Sequence, residues 1–123
     1  MRIGGVVLDA KVDYLRARGV TTYRDANRNE ENPLRLFLKP QDPNYIDLWV
    51  TGYYTAAELA SEAKSGPIKP VFMLQEIPLY LACSPRTAKA TLQKFSSALE
   101  AMKKDGTFQR IEAELDKLVS TKK

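Results

Sequence analysis

The sequence predicts an α/β fold: a largely parallel sheet flanked by helices, followed by two C-terminal helices. Three observations predict it. Short apolar, β-rich runs alternate with segments of helical periodicity up to residue 83. Gly, Pro, Asp and Asn punctuate the junctions between them. Residues 84–123 then carry two apolar stripes at helical spacing.

The elements follow in order. Ile3 to Leu8 is apolar apart from its glycines, which fits a strand buried on both faces. Gly4-Gly5 matches neither phosphate-loop pattern, and a glycine inside a strand lets a neighbouring helix approach closely. Asp9 is suited to cap a helix running to Arg18, and Gly19 to end it. Val20 to Arg24 alternates and reads as a second strand. Asp25 to Asn32 is polar and turn-prone. Pro33 then opens a short helix through Lys39, with Leu34, Phe37 and Leu38 as its apolar face.

Lys39 to Asn44 is a loop, and Tyr45 to Val50 a third strand. Thr51-Gly52 turns the chain into a helix over Tyr53 to Lys64. Its Ala56, Ala60 and Ala63 share one face and allow close approach to a sheet. Ser65-Gly66-Pro67 ends it. Lys69 to Leu74 and Pro78 to Cys83 read as fourth and fifth strands. Helices over Thr87 to Lys104 and Phe108 to Val119 complete the chain. One has the stripe Leu92, Phe95, Leu99 and Met102; the other has Phe108, Ile111, Leu115, Leu118 and Val119. Asp105-Gly106 stops the first of them, with Gly106 in a left-handed cap.

Composition narrows the function classes. The 123 residues are enough for one core. The net charge of +4 is spread out: Arg16, Arg18, Arg24 and Arg28 are interleaved with Asp13 and Asp25, a solvated face and loop rather than a nucleic-acid patch. Cys83 is the only cysteine and histidine is absent, so intrachain disulfides, imidazole metal sites and Ser-His or Cys-His pairs cannot arise within this chain. Glu30-Glu31 sits in a polar loop and forms no acid/base pair. The expectation is a non-enzyme without metal or cofactor. No apolar run is long enough to span a bilayer. Met1-Arg2 leads directly into a strand with no signal peptide, as expected of a cytosolic chain or a mature or cut-down segment of an exported one. Lys122-Lys123 reads as a frayed tail.

The last third carries a resemblance. The run Ile77 to Cys83, with Leu79-Tyr80-Leu81-Ala82 at its centre, leads into Ser84-Pro85. A helix containing Ala98-Leu99 stops at Lys104-Asp105-Gly106, and a second opens at Thr107-Phe108. This order resembles the C-terminal end of the bacterial extracellular solute-binding proteins of polar amino acid ABC transporters, of periplasmic binding protein type 2. The resemblance implies that residues 1–83 are second-lobe-like with a return hinge strand. It implies that residues 84–123 are the helices that pack, in the family, on a first lobe missing here. The implied function is non-catalytic: to bind a small polar solute in a periplasmic interlobe cleft and deliver it to a membrane permease. The alternative is a small α/β interaction domain that homodimerises through its C-terminal helices, by exchange between protomers.

Two turns carry the ligand expectations. The family places a Gly-Ser/Thr turn for the ligand carboxylate where this chain has Asp9-Ala10-Lys11. Asp9 repels a carboxylate and Lys11 compensates; Asp9 either faces a cationic or polyol ligand or only caps its helix. The family commonly places an aspartate for the ligand ammonium where this chain has Thr51-Gly52. Tyr53 or Tyr54 lines the cleft if ligand lies outside the C-terminal strand ends. The candidate ligand-binding set is Asp9, Lys11, Thr51, Gly52 and Tyr53. Trp49 reads as core and Asp47 as a strand-start residue.

Overall fold

Residues 2–7 are hydrogen-bonded along both edges, which makes the first apolar run the centre of the fold. In the computed structural model, which describes residues 1–120 and the side chains of 1–117, Ile3–Gly4 (β1) pairs in parallel with Leu48–Trp49 (β2). On the other edge Val6 bridges Ala26, also in parallel. Tyr23 N donates to Ile3 O at 2.7 Å and Ala26 N to Gly5 O at 3.0 Å. The first run is therefore parallel to both neighbours, as the alternation of strands and helices requires. The chain is mixed α/β and mostly helical, with two units, Met1–Lys69 and Pro70–Ser120. Lys122-Lys123 lies outside the described residues, as do the side chains of Leu118 and Val119.

Three expected strands are absent. Val20 to Arg24 contributes ladder bonds but no regular strand, and Lys69 to Leu74 and Pro78 to Cys83 form none. The apolar, β-rich composition of the last two is real, but a strand exists only where a partner edge accepts its backbone. Phe72, Leu79 and Tyr80 are exposed.

The helix Ala10–Arg16 (α1) buries Val12 and Leu15, which pack with Val50, Ile3 and Val20 in the main apolar cluster. Its close approach to the sheet rests on Gly5. A Cβ there would collide with Val12 Cγ2. The turn feeding α1 is strained: Leu8 has φ +59° and its side chain is 95% exposed. A non-glycine residue in this region costs about 1–2 kcal/mol, against about 0.4–1 kcal/mol of added unfolded-state entropy for glycine. Leu8→Gly is therefore expected to stabilise the fold by about 0.5–1 kcal/mol, read as a higher urea midpoint at unchanged slope. A lower midpoint would mean that the Leu8 side chain packs usefully.

A 3₁₀ turn, Asn29–Glu31, leads into the single-turn helix Asn32–Arg35 (α2), with Pro33 in its first turn. The expected helix through Lys39 is cut to one turn and faces the other way. Asn32, Pro33 and Arg35 are buried, whereas Leu34 and Phe37 are about half exposed. Buried hydrogen-bond partners for Asn32 and Arg35 set this orientation. Phe37 instead covers Gly66, and the helix that precedes Gly66 ends earlier than Ser65-Gly66-Pro67, at Lys64, whose φ is +49°. That helix, Tyr53–Glu62 (α3), buries Ala60 and half-buries Ala56 and Ala63, the small face anticipated for it.

The second unit is a stretch without regular secondary structure followed by two helices, Lys89–Lys104 (α4) and Thr107–Ser120 (α5), which pack on each other. Gly106 adopts φ +80° between them, and Asp105 Oδ1 accepts from Thr107 N at 2.9 Å. That bond holds the Asp105 carboxyl below the usual carboxylate range. No helix among the described residues is long and apolar enough to cross a membrane.

Candidate functional site

Parallel pairing puts the C-terminal ends of β1 and β2 on one edge, and both candidate turns leave from that edge. At the first, Asp9 caps α1. Its Oδ1 accepts from Lys11 N at 2.7 Å, and its Oδ2 pairs with Lys11 Nζ at 2.9 Å. Burial alone would raise the Asp9 pKa. The Lys11 hydrogen bonds and charge outweigh it, so the carboxyl is held below its ordinary value. Lys11, expected to compensate the charge of Asp9, thus pairs with it directly.

At the second turn Gly52 is the N-cap of α3, in extended conformation and without a side-chain cap. Tyr53 is exposed and stands edge-on to Tyr54, with ring centroids 5.1 Å apart. Thr51 is half-buried, and its Oγ1 is shielded from solvent with no hydrogen-bond partner. Buried hydroxyls are normally paired, so this one is an exception in the turn. Among the described residues no group of three or more His, Cys, Asp or Glu is placed to hold a metal.

Trp49 is half-buried and donates from Nε1 to Asn29 Oδ1 at 3.1 Å, which ties β2 to the 3₁₀ turn. Asp47 accepts from Arg2 N and from Tyr45 Oη. The Arg2 backbone bond first, and the Tyr45 bond second, hold its carboxyl below the usual range.

The polar centre that the sequence did not disclose is Asn32–Arg35. Asn32 is fully buried and donates from Nδ2 to Gly5 O at 3.1 Å. Arg35 donates from Nη1 to Asn32 Oδ1 at 3.0 Å, from Nε to Asn44 O at 2.9 Å and from Nη2 to Tyr23 O at 3.2 Å. One guanidinium thereby joins α2, the loop before β2 and the chain beside β1. The only advance signal was their i, i+3 spacing around Pro33, a weak one in a turn-rich stretch.

Comparison with protein-family models, with curated proteins and with solved structures finds no match to this chain.

Proposed function

We propose that this chain is the solute-binding half-module of an ABC-type uptake system, acting in the periplasm without catalysis and delivering a small polar solute to a membrane permease. The observation that carries the reading is the parallel ladder centred on β1, with Asp9–Lys11 and Thr51–Tyr53 leaving the same edge. Solutes of open α/β sheets lie outside that edge. In this reading the Thr51 hydroxyl and the amides at the start of α3 contact the solute, the Asp9–Lys11 pair borders it, and Tyr53 shields it. Residues 1–83 act as the lobe with its return hinge, and closure occurs about that hinge. Sequencing the coding region upstream of Met1 tests the reading. An in-frame signal peptide and first lobe are expected; a native start at Met1 without them overturns it.

The chain on its own presents one wall of such a cleft. The Asp9 carboxylate also stands where a ligand carboxylate would sit. Calorimetric titration with a panel of free α-amino acids is expected to give no dissociation constant at or below about 1 μM, roughly −8 kcal/mol. Micromolar or tighter binding of any of them would show this account of the turns to be wrong.

A second reading is favoured by one observation: Leu92, Phe95, Leu99, Ile111 and Leu115 on α4 and α5 are all exposed. Each large apolar side chain left in water forgoes about 1.5–3 kcal/mol of burial, and such surfaces mark interaction sites. In this reading the chain is an interaction domain that homodimerises through α4 and α5, with exchange about the Cys83–Pro85 link. Light scattering at tens of micromolar is expected to show a dimer. A clean monomer with both helices ordered would remove obligatory association.

A further inference from the structure

We propose that residues 77–104 form a membrane-surface docking element, which lays an apolar stretch and the apolar face of α4 on an anionic lipid bilayer. This goes beyond both readings of function above and rests on neither.

Charge carries the inference. Cations occur throughout the chain, but their excess does not. Residues 77–104 hold five cations, Arg86, Lys89, Lys94, Lys103 and Lys104, and one carboxylate, Glu100. That excess of four equals the net charge of the whole chain, +4, so the remaining residues are balanced. All five cations are exposed. Of the five, only Lys103 has an ion-pair partner among the described residues, Glu100 at 3.5 Å. The neighbouring α5 brings Glu112, Glu114 and Asp116 against Arg110 and Lys117, so the cationic surface belongs to α4 and the stretch before it.

Apolar exposure decides which kind of anion fits. Leu79 and Tyr80 are 91% and 86% exposed, and Ile77 and Leu81 are exposed as well. On α4, Leu92, Phe95 and Leu99 share one face, and all three are exposed. By helical spacing Lys89 and Lys103 border that face on one side and Lys94 on the other. A nucleic-acid strand would satisfy the lysines and leave the leucines in water. A bilayer surface takes both: headgroups meet the ammonium groups, the acyl boundary takes the apolar groups, and the lysine stems span the two. A second copy meeting this face would set like charges against each other. With 16 residues and four lysines, α4 suits the interfacial plane rather than the hydrocarbon core.

The test uses the whole chain carrying an environment-sensitive dye on Cys83, the only cysteine, which is exposed within the element. Vesicles of phosphatidylglycerol and phosphatidylcholine in equal parts are expected to brighten the dye and to carry the chain in flotation. Binding is expected to be at least about tenfold tighter than to phosphatidylcholine alone. Raising NaCl from about 0.1 to about 0.5 M is expected to weaken it. Lys89→Gln combined with Lys94→Gln, both at exposed positions, is expected to weaken binding to the anionic vesicles about tenfold. Leu79→Ser combined with Leu81→Ser is expected to weaken it by a similar factor, about tenfold. Arg24→Gln removes an exposed cation elsewhere in the chain and is expected to change it by less than about twofold. Equal binding to neutral vesicles, or a dye that does not brighten, would overturn the proposal. So would an Arg24→Gln effect as large as that of the lysine pair, or a single-stranded oligonucleotide bound as tightly as the anionic vesicles.

Discussion

Gly5→Ala is expected to lower the free energy of unfolding by about 2–3 kcal/mol. The added Cβ would strike Val12 Cγ2, and it would lie 3.1 Å from Asp25 Oδ1. Val12 is 2% exposed and sits in the middle of α1, so it has no open space to turn into. A β-branched side chain in a helix also holds essentially one χ1 rotamer, which denies the cheap escape. The helix must lift from β1, loosening its packing against Val50 and Ile3. Urea unfolding followed by the fluorescence of Trp49, the single tryptophan, measures the loss. The double variant Gly5→Ala, Val12→Ala separates the collision from other causes. Once Val12 is shortened, Gly5→Ala is expected to cost less than half as much. An unchanged cost in that background, or a Gly5→Ala variant within about 0.5 kcal/mol of the parent, would refute the collision.

Arg35→Met is expected to cost about 3 kcal/mol. Methionine keeps the buried stem but removes every donor. Asn44 O, Tyr23 O and Asn32 Oδ1 then lose their shared partner, each a polar group with restricted access to water. Arg35→Lys is expected to recover less than half of the loss, because one ammonium cannot reproduce a planar fork reaching three oxygens. Asn32→Ala probes the same assembly from the other side, since Asn32 also donates to Gly5 O. The two substitutions are expected to combine to at least about 1 kcal/mol less than their sum. Full additivity in a double-mutant cycle, or complete rescue by lysine, would mean that Arg35 acts only through bulk or charge.

Both predictions concern the part of the molecule that positions the candidate turns, and the two differ in how far the sequence disclosed them. Gly5 was legible: a glycine inside an apolar run beside a capped helix implies close approach. Arg35 was not. Reading residues 33–39 by hydrophobicity alone selects Leu34, Phe37 and Leu38 as the inward face, yet Leu34 and Phe37 are half exposed. In a helix of one turn there is too little apolar area to set orientation, and three hydrogen bonds from a guanidinium outweigh it. At the candidate turns, the capping role of Asp9 and the Gly52 entry to α3 followed from residue type. The pairing of Lys11 with Asp9 and the unpartnered Thr51 hydroxyl did not, because both depend on side-chain directions that spacing does not specify.

By itself the sequence determined the short-range features: the Asp9 cap, the left-handed Gly106 between α4 and α5, and the small alanine face of α3. These rest on local backbone preference and periodicity, which a residue and its near neighbours decide. Only the tertiary structure decided which apolar runs became strands and which face of α2 turned inward. Lys69 to Leu74 and Pro78 to Cys83 have strand composition but no strand, while Leu48–Trp49 is paired. Backbone pairing and buried polar satisfaction need partners distant in sequence, and no local pattern records whether those partners arrive.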